Sequence, residues 1–347
     1  MSELTSAGVV DIYAIEEKLA RIRWKMRHQW EDEAAEHAAA EARANVLNLI
    51  TVVESDHDVE SVSRILDGLS VHHPSRTLLL LAQPDRSAFK LEADVSTSTG
   101  EEAGRPVVSE RVFLHAHGQV ARHLASMVAP LLIPDLPVML WWPKRPHFGS
   151  ELFRELADLS DRLVVDTEDG FEDRDLTHLL EVARRRHARC AIGDFTWARL
   201  MPWRHLTAQH FDVAANRARL SYAQGISVLC GEGRLTQGRL LAGWVRSRLR
   251  AVGIDVPYEI RQDDAVEPGV CRFMLYTGGP EGAARFSIAR LRGGRLATEM
   301  RVGGEEQAGR TVRVEPRKAE DLLAIELTLP GHDVLYEEAL ACAAEGS

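Results

Sequence analysis

The chain has 347 residues, 45% of them hydrophobic and 27% charged, which is globular composition with enough material for two cores. Its formal net charge of −10 disfavours a nucleic-acid partner, because an acidic surface repels a phosphate backbone. The opening MSELTSAGVVDIY lacks the basic head and apolar run of a secretory signal, and LLLLA at 78–82 is too short to span a bilayer. The expectation is a cytoplasmic protein with no membrane partner.

Residues 11–44 read as one long helix. Ile12, Ile15, Leu19, Ile22, Met26 and Trp30 recur at three- and four-residue steps, and the alanine- and glutamate-rich stretch after Trp30 has high helix propensity. This helical arm (1–44) either lies on its own domain or docks on another subunit. From Asn45 strands and helices alternate. VLNLITVV (46–53) is an apolar strand. SDHDVESVSRILDGL is a helix with Ser55 or Asp56 as N-cap and Val59, Val62, Ile65, Leu66 and Leu69 on one face. RTLLLLA (76–82) is a second strand, the polar stretch 96–105 a loop at the sheet edge, and VSERVFLHA (108–116) a third strand. GQVARHLASMVAPLL reads as one helix ended by Pro134, and LPVMLWW (136–142) as a strand stopped by Pro143 and Pro146. A helix, a strand (DRLVVDT) and a helix (DLTHLLEVARRRH) follow. This rhythm predicts an α/β domain over 45–195, layered, with a mainly parallel sheet and flanking helices.

FTWARLMPWRHLTAQHF (195–211) reads as a linking helix, with Pro202 positioned to break or restart it. The pattern then changes. ARLSYAQGISVL (218–229) alternates as a strand, and residues 234–253 form an amphipathic helix capped by Gly253. Short strands with Gly-Gly or Gly-Pro turns come next, then two closing helices. Residues 196–347 are therefore expected to form an α+β domain with a mainly antiparallel sheet.

The chemistry-bearing motifs are mostly absent. No G-x-G-x-x-G follows the first strand, where ESDHDVESV stands instead, and neither a Walker A sequence nor a G-x-S-x-G elbow occurs. Cys190, Cys230, Cys271 and Cys342 form no CxxC pair. They read as small buried hydrophobes in a reducing compartment, with a redox pair between distant cysteines left open by their spacing. His115, His117 and His123 read either as a metal site or, the preferred reading, as loop and helix-start histidines. Arg76 opens its strand, so it is either half of a structural salt bridge or a ligand contact.

Two segments stand out. In DLPVMLWWPKRP (135–146), Trp141 and Trp142 end a strand and Lys144 and Arg145 follow between prolines. Either one indole packs inside while the other caps the sheet, or the pair anchors a partner, with the cations free to meet a carboxylate or phosphate. WARLMPWRHL (197–206) repeats the pattern. On a helix Trp197 would share a face with Arg204, and Arg199 with Trp203, at a domain junction or a docking surface. Arg285, Arg290, Arg292, Arg295, Arg301, Arg310 and Arg313 sit on the C-terminal strands, as a solvated sheet face or a basic face for an acidic partner.

LNLITVV (47–53), HPSRTLLL (73–80), PLLIPDLPVMLWWP (130–143), DRLVVDT (161–167) and DFTWARLMPWR (194–204) together resemble the glucose-6-phosphate dehydrogenase assembly (OpcA) family, in order and approximate spacing. The resemblance is carried mainly by residues 45–211. Met201 departs from it, standing where the family more usually has Thr. The resemblance implies a non-catalytic partner that promotes assembly or activity of glucose-6-phosphate dehydrogenase, with no cofactor and no catalytic residue. On that reading Arg76, Trp141, Trp142, Arg145, Trp197, Arg199, Trp203 and Arg204 are the expected partner or interdomain contacts. A second reading is an enzyme or sensor that binds a sugar phosphate or other small anion between the domains, with Arg76, Lys144, Arg145 and Arg204 converging on it.

Overall fold

The computed structural model describes residues 5–6, 9–33, 45–70, 73–87, 89–102, 105–168, 170–186, 189–280, 282–307, 309–329 and 331–345. In chain order the elements are β1 (Thr5–Ser6), β2 (Val9–Val10), α1 (Ile12–Glu33), β3 (Leu47–Val53), α2 (Asp56–Ser70), β4 (Ser75–Gln83), β5 (Lys90–Glu102) and β6 (Arg105–His117). Next come α3 (Gln119–Arg122), α4 (Leu124–Val128), β7 (Val138–Trp142), α5 (Glu151–Asp158), β8 (Arg162–Val165), α6 (Asp173–Arg186) and β9 (Ala191–Asp194). They are followed by α7 (Phe195–Arg199), α8 (Met201–Gln209), α9 (Ala214–Arg219), β10 (Ala223–Cys230), α10 (Leu235–Arg250), β11 (Tyr258–Gln262) and β12 (Val270–Thr277). The chain closes with β13 (Ala284–Leu291), β14 (Arg295–Val302), β15 (Glu305–Gln307), β16 (Thr311–Arg313), α11 (Ala319–Thr328) and α12 (Val334–Ala344). Two compact units result. One takes residues 1–166, 186–193 and 319–331, and the other takes 167–185, 194–318 and 332–347.

The first unit is built on a sheet in the order β5-β6-β4-β3-β7-β8-β9. β6, β4, β3, β7 and β8 pair in parallel, as their unbroken apolar runs require of strands covered on both faces. Counting strands in chain order and leaving out the antiparallel edge strand β5, the arrangement is three-two-one-four-five-six, that of doubly wound folds. The stretch expected to be an edge loop is instead strand: β5 runs antiparallel to β6 in register from Lys90↔His117 to Glu102↔Arg105. Its mix of Ser and Thr suits a strand at a sheet edge as well as it suits a loop. The helix expected over 118–132 is broken at His123 into α3 and α4, followed by a 3₁₀ turn. α1 packs by Ile15 and Leu19, both fully buried, against β5, and Lys18 pairs with Asp94 at 3.0 Å. The arm's first half thus lies on its own unit, while its extension past Glu33 lies outside the described residues. α11 packs on α2, and its Glu326 makes a buried 2.8 Å ion pair with Arg162 of β8. Gly193 leaves room for that carboxylate: a Cβ there would stand 2.2 Å from Glu326 Oε2.

The second unit is a sheet in the order β11-β10-β12-β13-β14-β15, with β16 also on β14. Only β10–β11 among its recorded pairs is parallel, because α10 carries the chain back between them. One face is buried through Val228, Phe273, Leu275, Phe286 and Ile288, all inaccessible to solvent. α10 and the end of α8 cover this face, and Phe211 meets Phe286 at 4.8 Å between ring centres. α10 ends in a left-handed Gly253 (φ 81°), with Ile254 N–H donating to Leu249 O and Gly253 N–H to Arg250 O. The strand expected over 218–229 begins only at Ala223. Residues before it form α9 and a 3₁₀ turn, since a short polar run with Arg217 and Arg219 also satisfies a helical turn. Among the described residues no helix is long and apolar enough to cross a membrane.

Candidate functional site

In a doubly wound sheet the crevice forms where the chain leaves in opposite directions from adjacent strands, at their C-terminal ends. Here those strands are β3 and β7. A cavity of about 670 Å³ opens there, lined by Val52, Glu54, Gln83, Arg86, Trp142 and His147 among others. Its rim is mixed in charge. His147 Nε2 lies 3.2 Å from Glu54 Oε2, and Arg86 pairs with Asp56 at 3.3 Å.

The turn from β3 into α2 is the position at which such folds bring backbone N–H groups against a pyrophosphate. In this chain the first helical turn carries Asp56 and Asp58. Ser55 Oγ accepts from Asp58 N–H at 3.3 Å and donates to Asp58 Oδ2 at 2.6 Å, so one N–H of the helix start is satisfied internally. Burial works to raise the Asp58 pKa, but hydrogen bonds from Lys144 and Ser55 outweigh it and leave it below the ordinary value. Two carboxylates, each paired with a cation, Asp56 with Arg86 and Asp58 with Lys144, therefore occupy the first turn of the helix that in such folds meets a dinucleotide's phosphates. The second helix at the cavity, α5, is likewise self-capped: Ser150 Oγ accepts from Phe153 N–H at 3.1 Å, and Glu151 occupies its first turn.

At the end of β6, His115 and His117 face the same side with their Nε2 atoms 2.7 Å apart. Burial, Lys90 and each ring's basic neighbours hold both pKa values below the ordinary 6.5. His123, expected on a helix, stands at the break between α3 and α4 and does not join them in a cluster of metal-ligating groups.

Arg76 is buried near the start of β4. Its Nε donates to Glu110 Oε2 at 2.8 Å, its Nη1 to Glu16 Oε1 at 2.5 Å and to Leu131 O at 3.1 Å, and Arg23 also pairs with Glu110. Lys144 lies past the opposite, C-terminal end of the parallel strands, paired with Asp58 at 2.8 Å. The convergence of Arg76 and Lys144 on one anion is thus overturned: parallel strands put a strand start and a strand end on opposite edges of the sheet.

Trp141 and Trp142 are both inside, at 1% and 2% exposure, because β7 is a central strand covered on both faces. Trp142 meets Phe153 edge-on at 5.5 Å and forms part of the cavity wall. Arg145 is half-buried beyond them. In the second unit the expected linking helix is two, α7 and α8, broken at Leu200 with Pro202 in the first turn of α8. Of the two expected pairings, that of Trp197 with Arg204 is formed. Arg204 stacks its guanidinium 3.5 Å from the Trp197 ring centre and donates to Trp197 O at 3.2 Å. Arg199 pairs with Glu168 at 2.8 Å, and Trp203 is buried.

Two aspartates that the sequence reading passed over hold this segment in place. Asp194 is fully buried. It caps α7 by accepting from Thr196 N–H at 2.9 Å, and it also accepts from Thr167 Oγ1 at 2.7 Å and Tyr336 O–H at 3.1 Å. Asp333 caps α12 and accepts from Trp197 Nε1 at 2.7 Å. The available signal was an aspartate immediately before each helical run, an N-cap cue.

The cysteines are not activated. Burial pushes the Cys190 thiol up to about 11 and the Cys230 thiol up to about 12, and it raises Cys271 and Cys342 as well.

Comparison with known proteins gives two consecutive family matches: glucose-6-phosphate dehydrogenase subunit N-terminal domain over residues 67–184, and the C-terminal domain of the same subunit over 190–340. Proteins named OxPP cycle protein OpcA are similar to the chain. The one from Synechocystis is 25% identical over 309 residues, covering 80% of this chain and 65% of that protein. The one from Synechococcus elongatus is 28% identical over 290 residues, covering 72% and 64%. The chain thus spans about two thirds of the length of these relatives. Among solved structures it is similar to a 3-ketoreductase from Actinomadura kijaniata, at 9% identity and TM-score 0.46, with 87% of this chain and 95% of that one covered. An aldose-aldose oxidoreductase from Caulobacter crescentus matches at 12% identity and TM-score 0.41, with 88% and 99% covered.

Proposed function

The chain belongs to the OpcA family of glucose-6-phosphate dehydrogenase subunits, and from that premise we propose that it is a non-catalytic partner of this dehydrogenase, acting in the cytoplasm within the oxidative pentose phosphate pathway. The observation that carries the reading is the tandem match of both subunit domains across residues 67–184 and 190–340. The switch-point cavity supports the non-catalytic part. Asp56, Asp58 and Glu151 occupy the helix starts that would have to accept a cofactor's phosphates. The buried indoles, with Arg204 stacked on Trp197, support a packing role for those segments, which stiffen each unit so that its surface is presented in one shape. Binding one oligomeric or conformational state of the dehydrogenase more tightly than another then shifts its population toward that state.

The test mixes the purified chain with glucose-6-phosphate dehydrogenase on a sizing column and follows it with an activity titration. The expected result is a co-eluting complex with a changed rate or changed affinity for glucose 6-phosphate. Separate elution with unaltered kinetics rejects the proposal.

A further inference from the structure

The sheet of the second unit has one covered face and one open face. Strand register sorts the arginines between them. Arg272, Arg285, Arg295, Arg301 and Arg313 fall on the open face, joined by Arg261 of β11. Arg290 and Arg310 have the opposite parity, and Arg292 lies in the turn before β14. Among the described residues of these strands, the acidic side chains on the open face are Glu259, Glu299 and Glu306, with Glu315 just past β16. Glu299 is spanned by Arg285 at 2.9 Å and by Arg301, while Arg313 is 78% exposed with its nearest carboxylate, Glu315, 3.8 Å away. A surplus of guanidinium groups therefore gathers on one side of a chain whose net charge is −10.

Between these cations the face carries Leu229, Met274, Tyr276 and Leu291, with Tyr276 37% and Leu291 39% exposed. Arginine, tyrosine and methionine are the residue types that concentrate at protein interfaces. Six strands spaced by about 4.8 Å, with eight residues along the longest, give a face of at most about 780 Å². One side of a standard protein–protein interface needs about 800 Å². The whole face is thus comparable in size to one side of such an interface, whose usual range is about 600–1,000 Å², and the surplus positive charge selects an acidic counterpart.

We infer that this open sheet face, centred on Arg272 and Tyr276, is where the protein docks, and that it receives an acidic surface of the dehydrogenase. This rests on the function proposed above. The paired charges at Glu299 set register, and the unsaturated arginines at Arg272 and Arg313 steer the encounter, so association is salt-sensitive.

The experiment measures affinity for the dehydrogenase, at low and at 0.5 M salt, for the wild-type chain and for a variant carrying Arg272→Glu and Arg313→Glu. Arg185→Glu, on the exposed face of α6, is the charge control. All three are checked by circular dichroism and unfolding midpoint. The double variant should keep its fold and lose at least tenfold in affinity, the control should not change, and wild-type binding should weaken with salt. A folded double variant that binds as tightly as wild type overturns this surface and leaves the functional proposal standing. Absence of wild-type binding overturns both. If sedimentation shows that the double variant loses a homodimer while its dehydrogenase binding is unchanged, the occupant is a second copy and the inference is wrong.

Discussion

Arg76 holds together three separate stretches of the first unit. Its guanidinium joins Glu110 on β6, Glu16 on α1 and the Leu131 carbonyl, and it is 6% exposed. Removing one partner of a buried pair strands the other, which costs about 3–5 kcal/mol. Arg76→Met should therefore lower stability by about that amount in urea unfolding while leaving binding by the folded fraction intact. A loss below 1 kcal/mol would show that the carboxylates find water or other cations. The His115–His117 pair gives a pH signature. Burial and neighbouring cations depress both pKa values in the folded state, so unfolding takes up protons. The stability involved is fully present above about pH 6.5 and is lost as pH falls through the depressed folded values. Unfolding midpoints measured from pH 7.5 to 5 should drop for the wild type and flatten when both residues are replaced by Gln. At this scale the sequence was legible in part. A salt bridge at Arg76 was one of two readings, and the choice needed Glu16 and Glu110, which lie 60 and 34 residues away. Asp194 and Asp333 were invisible because each looks like an ordinary helix cap until its second carboxylate oxygen is seen to bind a distant side chain.

Elements with strong local signals came out as periodicity requires. The apolar runs of β3, β4 and β7 are central strands, and α2 buries Val62, Leu66 and Leu69 on one side. The failures lie where composition is ambiguous. The Ser- and Thr-rich stretch from 96 lies on β5 because pairing with β6 supplies the hydrogen bonds a loop would have drawn from water. α11 is apolar on more than one side, so only its packing on α2 shows which group of elements it joins. In the second unit, α10 and α12 approach closely at Gly243, where an added Cβ would stand 2.5 Å from Ala339 O and 2.9 Å from Ala343 N. Backbone atoms cannot move aside as a flexible side chain can. Gly243→Ala should thus cost about 1–3 kcal/mol by overpacking, read as a lower thermal midpoint. An unchanged midpoint would mean that the two helices slide apart freely.

For the whole molecule, strand order and chemistry point in different directions. The doubly wound order alone suggests a nucleotide enzyme, whereas the helix start at its switch point carries Asp56 and Asp58, paired with Arg86 and Lys144, in place of a glycine-rich turn. In the sequence, ESDHDVESV stands where a glycine-rich turn would be needed. NADP or NAD added to the isolated protein should leave its unfolding midpoint where it was. A ligand present at a hundredfold its Kd would contribute about 2.7 kcal/mol, an easily measured rise. Such a rise would place a nucleotide in the cavity despite Asp56 and Asp58 and would reopen the question of catalysis.

The thirteen-residue β5 closes one side of the first sheet, and β1, β2 and α1 rest against it. An uncovered border of that length is a template on which identical chains can add strand to strand. The N-terminal segment therefore guards solubility as well as adding contacts. A version begun at Asn45 should form soluble aggregates or pellet on expression, with rising light scattering and thioflavin fluorescence, whereas the full chain stays clear under the same conditions.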